Sequence, residues 1–447
     1  MVRFMTVGEI AAARTACVTR DPLAAARERM ERTGQWHPQQ SMGRRFAMGC
    51  VALEITQRCN LDCTLCYLSD HSEAVRDLPL TEVFRRIDAI HAHYGTDTDV
   101  QVTGGDPTLR DRAELVAIVR RIRSLGMRSS LFTNGIRASR ALLAELCGAG
   151  LVDVAFHVDM TQNRRGYADE AALNAVRSEY IARARGPPLS VMFNTTVFDG
   201  NFAQVTDVAA FFVANADIVR LASFQLQADT GRGIAGGSTA PISIATVSDR
   251  LRDGAGAPIA LNMPVGHSGC NRYAMTLVAN GRVHDLFDDA AVIADLLATI
   301  AGTQFDRQHR ALALAALAAA LLRRLGALAR LVPWAARKLW AMRRDLLAAR
   351  FRAHKLSFFI HDFMDADCLD CDRVDACVFM VATGEGPISM CLHNARRDSF
   401  ILQPIRTEAG WWDPLSGQTG QDPNPAGPVR HGPKTLKGRL RAAAAAP

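Results

Sequence analysis

The sequence predicts an α/β protein built on a parallel sheet, either open and doubly wound or curled into a partial barrel. Three observations predict it. Between residues 51 and 227, short apolar β-branched runs alternate about six times with longer amphipathic ones, the pattern of strands joined by crossover helices. At 447 residues the chain exceeds the length at which one hydrophobic core stops growing, so more than one unit is expected. Its 11 cysteines are gathered in short windows, which suits metal binding or catalysis better than a disulfide scaffold.

The strands are expected at 51–56, 99–103, 129–133, 152–159, 189–197 and 218–227, with helices at 81–93, 112–125 and 139–149 between them. In such sheets function gathers on loops at the carboxyl ends of strands. Around this 49–230 unit, residues 1–48 read as helical and polar, punctuated by Pro22 and Pro38. Residues 231–305 read as a linker followed by the start of a second unit, with Cys270 and a hairpin through Gly281. A basic helical segment is expected at 306–355 and a cysteine-rich unit at 356–403. The proline-bearing tail, 404–447, is expected to be disordered.

Hydrophobic residues make up 49% and charged residues 22%, which excludes a wholly disordered or fibrous chain. The net charge of +7 is unevenly held. Residues 306–355 carry twelve Arg and Lys against Asp306 and Asp345, a local +10 that leaves −3 for the rest. A basic segment on a mildly acidic body does not indicate nucleic-acid binding. The first 15 residues lack an apolar run of signal-peptide length and include Glu9, so a reducing cytoplasm is expected.

Directly after the first strand stand Cys59, Cys63 and Cys66, in the window Arg58-Cys-Asn-Leu-Asp-Cys-Thr-Leu-Cys-Tyr67. Three thiolates on one short loop can fill three corners of an iron–sulfur cube and leave one iron open. A zinc site completed by a distant residue such as His71 is the other reading. The second strand ends in Val102-Thr103-Gly104-Gly105-Asp106-Pro107, where two glycines let a ligand approach the backbone. One β/α unit after the cysteine loop, that pair carries weight which a lone Gly-Gly does not.

The C-x3-C-x2-C loop, the Gly-Gly-acid-Pro segment and Thr133-Asn134-Gly135 after strand three together resemble the radical S-adenosylmethionine (SAM) superfamily, over about residues 51–227. The resemblance implies a partial (β/α)6 barrel, a [4Fe-4S] cluster and S-adenosyl-L-methionine as cofactors, and a reductant such as flavodoxin or ferredoxin. It implies reductive cleavage of SAM to a 5′-deoxyadenosyl radical that removes hydrogen from a substrate. Carried over by position, Cys59, Cys63 and Cys66 become cluster ligands, and Gly104, Gly105 and Asp106 hold the methionine end of SAM. Asn134, His157 and Asn194 fall where ribose or carboxylate is contacted, although a satisfied core histidine is an equal reading of His157. Two positions depart from the family pattern. Leu65 stands where an aromatic is usual, which passes adenine contact to Tyr67 or to aliphatic groups, and Asp106 stands where Glu is usual.

Cys368, Cys371 and Cys377 form C-x2-C-x5-C, with Cys391 after them and Cys270 well before. This resembles the SPASM-type extension of radical SAM enzymes, partially, because Leu286 stands where a further cysteine belongs. The resemblance implies an auxiliary iron–sulfur cluster, and five cysteines suit one four-cysteine cluster; a structural zinc knot is the alternative. The stretch 386–395 around Cys391, with Phe193-Asn194-Thr195-Thr196 and Gln225-Leu226-Gln227, resembles a branch holding tetraether-lipid synthases and class D methylases. That branch implies a lipid chain or pterin-like ring as substrate, with carbon–carbon bond formation or methylation.

From Ala311 the basic segment runs twelve apolar residues, too few to span a bilayer, and Arg323, Arg330, Arg337 and Arg344 then recur every seven. Pro333 is expected to start a second helix or kink the first. An arginine stripe with leucines and tryptophans fits a helix lying in a membrane interface, and equally a packed hairpin with its arginines in water. The combined expectation is a radical SAM enzyme at the cytoplasmic face of a membrane, acting on a lipid or isoprenoid-like chain. A SPASM-type peptide-modifying enzyme and a non-catalytic zinc protein are its rivals.

Overall fold

The computed structural model describes residues 2–12, 21–35, 46, 48–232, 241–306 and 309–422; the expectation for 423–447 lies outside the described residues. Helices α1 (Val7–Ala12) and α2 (Pro22–Arg32) come first. Six β/α repeats follow: β1 (Cys50–Thr56) and α3 (Leu80–Tyr94), β2 (Asp99–Gly104) and α4 (Arg112–Ser124), β3 (Arg128–Thr133) and α5 (Arg140–Ala149), β4 (Leu151–His157) and α6 (Glu170–Ala184), β5 (Ser190–Val197) and α7 (Val205–Ala214), β6 (Val219–Leu226) and α8 (Ile244–Ala255). Each expected strand is present to within about a residue or two at its ends. Period-two patterning sets their faces: Val51, Leu53 and Ile55 of β1 are fully buried among the helices, while Cys50, Ala52 and Glu54 face inward. The helices answer with their own stripes, such as Val83, Ile87 and Ile90 of α3, each worth about 1.5–3 kcal/mol relative to exposure.

The chain continues through a hairpin, β7 (Asn271–Ala279) and β8 (Arg282–Asp285), then α9 (Ala290–Ile300), α10 (Arg310–Leu322), α11 (Leu325–Ala348) and β9 (His354–Asp362). Asn280 and Gly281 both have positive φ, the twist a two-residue hairpin turn needs. The cysteine-rich segment holds α12 (Cys371–Asp375), β10 (Phe379–Thr383), β11 (Gly386–Ser389), α13 (Met390–Ala395) and α14 (Arg397–Ile401).

One sheet of 11 strands, ordered β11-β10-β1-β2-β3-β4-β5-β6-β9-β7-β8, holds the molecule together. Pairing is parallel from β10 through β1 to β6 and on to β9, so eight parallel strands stand where the sequence suggests six. The two extra strands are β9, which follows the basic helices, and β10 of the cysteine-rich segment, so the later part of the chain is woven into the barrel wall. The sheet curls until its parallel ends meet through side chains: Phe379 of β10 lies 6.1 Å from Phe359 and 5.0 Å from His361 of β9 by ring centroids. No backbone ladder joins β9 to β10 among the described residues, so the barrel is partial.

Two expectations are corrected here. The expected disordered tail is ordered through residue 420, as a small antiparallel sheet of β12 (Ile405–Thr407), β13 (Gly410–Trp412) and β14 (Thr419–Gly420), with Trp412 buried. The break in the basic segment falls at Arg323–Arg324, and Pro333 sits inside α11. The arginine stripe stays exposed, as the packed-hairpin reading expects, while still reaching α9. Arg330 pairs with Asp295 and Arg337 with Asp289, seating α11 against α9. Apolar side chains are exposed on this helix as well: Leu325, Val332, Leu339, Trp340 and Leu347 are each at least 56% exposed. No described helix is long and apolar enough to cross a membrane.

Candidate active site

A cavity of about 1220 Å³ runs down the inside of the sheet, and Cys59, Cys63 and Cys66 line its upper end, at the carboxyl ends of the strands. Register stacks its walls in rungs. Gln101, Ser130, Asp153 and Ser190 form a polar rung; Phe132, Ala155, Met192 and Leu221 form an apolar belt above it. Over the belt lie His157, Asn194 and Ser223, then Thr196, Gln225 and His361. Asn194 and Ser223 are residues more than nine-tenths buried that line the cavity, with no hydrogen bond to their side chains among the described residues. Such groups ask for a ligand or water.

The cysteine loop is held from several sides. Thr64 N–H donates to Thr161 O at 2.7 Å, and Arg58 pairs with Asp77. The Tyr67 hydroxyl reaches across to donate to Gly104 O at 2.5 Å. After β6 the chain returns over the loop: Arg232 N–H donates to Leu68 O, and a Cβ at Gly231 would stand 2.4 Å from the Tyr67 backbone. Arg232 is fully buried, with Glu73 and the Cys66 sulfur beside its guanidinium. Burial pushes the Cys59 thiol up to about 11, and Asp106 and Cys66 add to the rise against a Leu61 N–H that opposes it.

Gly104 and Gly105 line the cavity, but the close approach they permit is the protein's own. Gly104 has φ +125°, and a Cβ there would lie 2.0 Å from Thr56 O; at Gly105 it would lie 2.0 Å from Arg58 O. The Gly105 and Asp106 amides donate to those same carbonyls. Asp106 does not reach the cavity. It is fully buried, accepting from Thr108 N–H and Oγ1 with one oxygen and from Thr133 Oγ1 and Asn134 N–H, both at 2.8 Å, with the other. The aspartate thus locks the Gly-Gly turn to the end of β3, and Asn134 in turn donates to Asn60 Oδ1 in the cysteine loop at 2.6 Å. Its shorter side chain fits this internal role.

His157 lines the cavity, with Nε2 held by Asp159 Oδ2 at 2.7 Å. Burial opposes the imidazolium, but the Asp159 charge prevails and raises the histidine above its usual value. His157, Asp159 and their pairing are one feature; Asp159 also accepts from Thr161 and from Thr196 N–H, which fixes the wall between β4 and β5. His361 is the opposite case: burial among aromatic rings pushes it down to about 3, so it meets the cavity neutral.

The second cysteine group is brought together in part. Cys270, Cys377 and Cys391 feel one another's charge, and burial pushes Cys391 up to about 12. Arg373 donates to Cys270 Sγ at 3.3 Å. Cys371 instead takes a hydrogen bond from Arg3, and Cys368 is exposed. Among the described residues no three His, Cys, Asp or Glu side chains converge closely enough to hold a metal ion. In donor chemistry, three thiols on one short loop lining one cavity, the first trio fits a thiolate-bound cluster; the five later cysteines, divided in this way, fit a four-cysteine cluster less well. His71, considered as a zinc ligand, is paired with Asp398.

Sequence reading passes over four residues here: Glu54, Asp159, Arg232 and Arg397. Of these only Glu54, a lone acid inside the apolar run of β1, leaves a sequence signal.

Residues 53–210 match the Radical SAM superfamily. The chain carries a radical SAM domain. Its relatives include the 7,8-dihydro-6-hydroxymethylpterin dimethyltransferase of Methanocaldococcus jannaschii, 26% identical over 40% of this chain and 36% of that protein. The PqqA peptide cyclase of Bradyrhizobium diazoefficiens is 28% identical over 39% of this chain and 46% of that one. This chain thus spans less than half the length of either. Among solved structures, Streptococcus suis SuiB bound to precursor peptide SuiA aligns with a TM-score of 0.38 and 11% identity over 52% of this chain and 49% of that one. The radical SAM domain covers β1 to α7, and the loops described above occupy the carboxyl ends of its first three strands.

Proposed function

We propose that the protein is a radical SAM enzyme whose cofactors meet at the upper end of the barrel cavity. One observation carries the reading: the three thiols of the C-x3-C-x2-C loop and the Gly104–Gly105 turn line one cavity, tied to each other by Tyr67 and Asn134. Cys59, Cys63 and Cys66 are the residues to hold a [4Fe-4S] cluster with one open iron, and Gly104 and Gly105 border the methionine end of SAM. Asn134, His157 and Asn194 line the wall for its nucleoside. When bound, the cluster and SAM supply a carbon radical that removes hydrogen from a substrate. The protein's part is to hold the loop, orient the ligands and limit water: the apolar belt lines the cavity partway down and Arg232 and Gly231 roof the cysteine loop.

Anaerobic reconstitution tests this. Uptake of iron and sulfide with reductive release of 5′-deoxyadenosine is the expected outcome; stoichiometric zinc without SAM cleavage overturns it in favour of a zinc protein.

On the substrate, two observations pull apart. The outward apolar stripe of α11 supports work at a membrane face and hence a lipid or isoprenoid-like chain. Supporting a polar substrate, a pterin-like ring or a peptide, are the amides and hydroxyls lining the cavity, Gln101, Asn194, Ser223 and Gln225 among them. We favour the polar substrate. An aqueous cell extract is expected to stimulate 5′-deoxyadenosine release where the chloroform-soluble fraction does not, and the reverse result restores the lipid reading.

A further inference from the structure

Besides the pairing of β10 with β1, the cysteine-rich C-terminal part meets the radical SAM domain through a buried arginine. Arg397, at the start of α14, is 3% exposed and donates from one terminal nitrogen to both oxygens of Glu54 at 2.8 Å. Its other terminal nitrogen donates to Asn394 Oδ1 at 2.8 Å, which orients the guanidinium from α13. Glu54 points inward from β1 and is also held by Gln57. Burial opposes its charge, but Arg397 outweighs it and holds the carboxyl near 2, so the pair is ionised. A buried pair of this kind is geometrically demanding, since displacing either partner strands the other.

The same guanidinium lies 4.6 Å over the Tyr67 ring, a cation–π contact between a buried cation and a ring that is 36% exposed. Tyr67 immediately follows Cys66, and its hydroxyl ends on Gly104 O. A continuous line of contact therefore runs from α13 and α14 through Arg397 and Tyr67 to the Gly-Gly turn. Glu54, Tyr67, Asn394 and Arg397 all line the cavity that the three cysteines line. The wall between the cysteine loop and the turn is thus shaped by a residue outside the radical SAM domain.

We propose that the C-terminal part completes the SAM site, and that Arg397 is a positioning residue that fixes Tyr67 across to Gly104. The inference rests on the radical SAM reading for the identity of the ligand. A residue that merely anchored α14 to the barrel would stabilise the fold and leave SAM binding alone; a positioning residue acts on SAM through Tyr67.

The experiment is a double-mutant cycle on the full reconstituted chain with SAM as the probe. Arg397→Lys and Tyr67→Phe are each expected to weaken SAM binding about tenfold in equilibrium dialysis, with iron content unchanged. The change that SAM produces in the spectrum of the reduced cluster is expected to diminish in both. Because the residues act in series, the double variant should be no weaker than the worse single variant to within roughly twofold. Unchanged SAM affinity in either variant overturns the proposal, as do effects that multiply. Tyr67→Phe leaves the Arg397–Glu54 pair intact and so keeps the test valid if Arg397→Lys folds poorly. A wild-type protein that holds the cluster but binds no SAM, or takes up no iron, instead sinks the radical SAM reading beneath the proposal.

Discussion

At the scale of single residues, the site depends on groups that hold one another before any ligand arrives. His157 and Asp159 illustrate it. Asp159 is pulled down to about 2 against burial by His157 and by donors from Thr161 and Thr196, while His157 is raised above 6.5. Besides Asp159, the charges bearing on the ring are Arg164, which lowers it, and Glu170, which raises it. The sign follows. The stability His157 gains is fully present below its unfolded pKa near 6.5 and is lost as pH rises through its raised folded value; that of Asp159 is present above about 3.8 and is lost as pH falls toward 2. Asp159→Asn removes the charge and leaves the burial, so the histidine should titrate below 6.5; a ring pKa followed by NMR that stays raised would contradict the assignment. Gly104 makes a different claim. A methyl group there meets Thr56 O at 2.0 Å on a backbone with φ +125°, so Gly104→Ala should cost at least about 2 kcal/mol, several degrees in thermal midpoint. An unchanged melting curve would mean the turn relaxes freely.

At the scale of elements, what was legible in the sequence was what is local. The six strands and their helices followed from alternation, and the cysteine and glycine loops from their place after strands one and two. Strands β9 and β10 were not legible as barrel strands. His354–Asp362 pairs with β6 across a gap of more than a hundred residues, and Phe379–Thr383 returns to β1 from the far end of the chain; no local pattern announces a non-local partner. Asp106 was misread for a related reason, since its type marks a charge but its four donors come from folding. The arginine stripe of α11 shows the same limit: periodicity found it, but only the packing of α9 reveals that Arg330 and Arg337 are engaged. That engagement separates two outcomes. Replacing Leu325, Val332 and Leu339 by Gln should reduce cosedimentation with anionic vesicles if the outward stripe meets a membrane, with little effect on the thermal midpoint. Neutralising Arg330 and Arg337 should loosen the hairpin, by about 0–1 kcal/mol for each exposed pair, and increase protease cutting between α10 and α11. Vesicle binding that ignores the leucines would confine the stripe to some other contact.

At the scale of the whole molecule, the two cysteine groups sit on one curled sheet and share a wall. Cys377 leads into β10, the neighbour of β1, and β1 in turn leads into the loop of Cys59, Cys63 and Cys66. Cys391 lies on α13, whose Asn394 orients Arg397. Damage to one group should therefore reach the other unequally. Cys63→Ala removes a thiol from the upper cavity and should abolish SAM cleavage, whatever happens at the C-terminal part. Cys371→Ala removes a side chain whose partner is Arg3 at the surface, and should spare uncoupled cleavage. Cys391→Ala lies between these cases, because it unpacks a buried helix that carries a contact to Arg397; it should weaken SAM binding several-fold while leaving the first group's iron in place. The Cys59 thiol adds a check that needs no substrate. Burial holds the Cys59 thiol at about 11, so as a cluster ligand it would surrender a proton on taking up metal. Reconstitution in weakly buffered solution should release protons in step with iron, and Cys59→Ala should lower the count per protein. Iron bound without proton release would mean that this thiol is not its ligand.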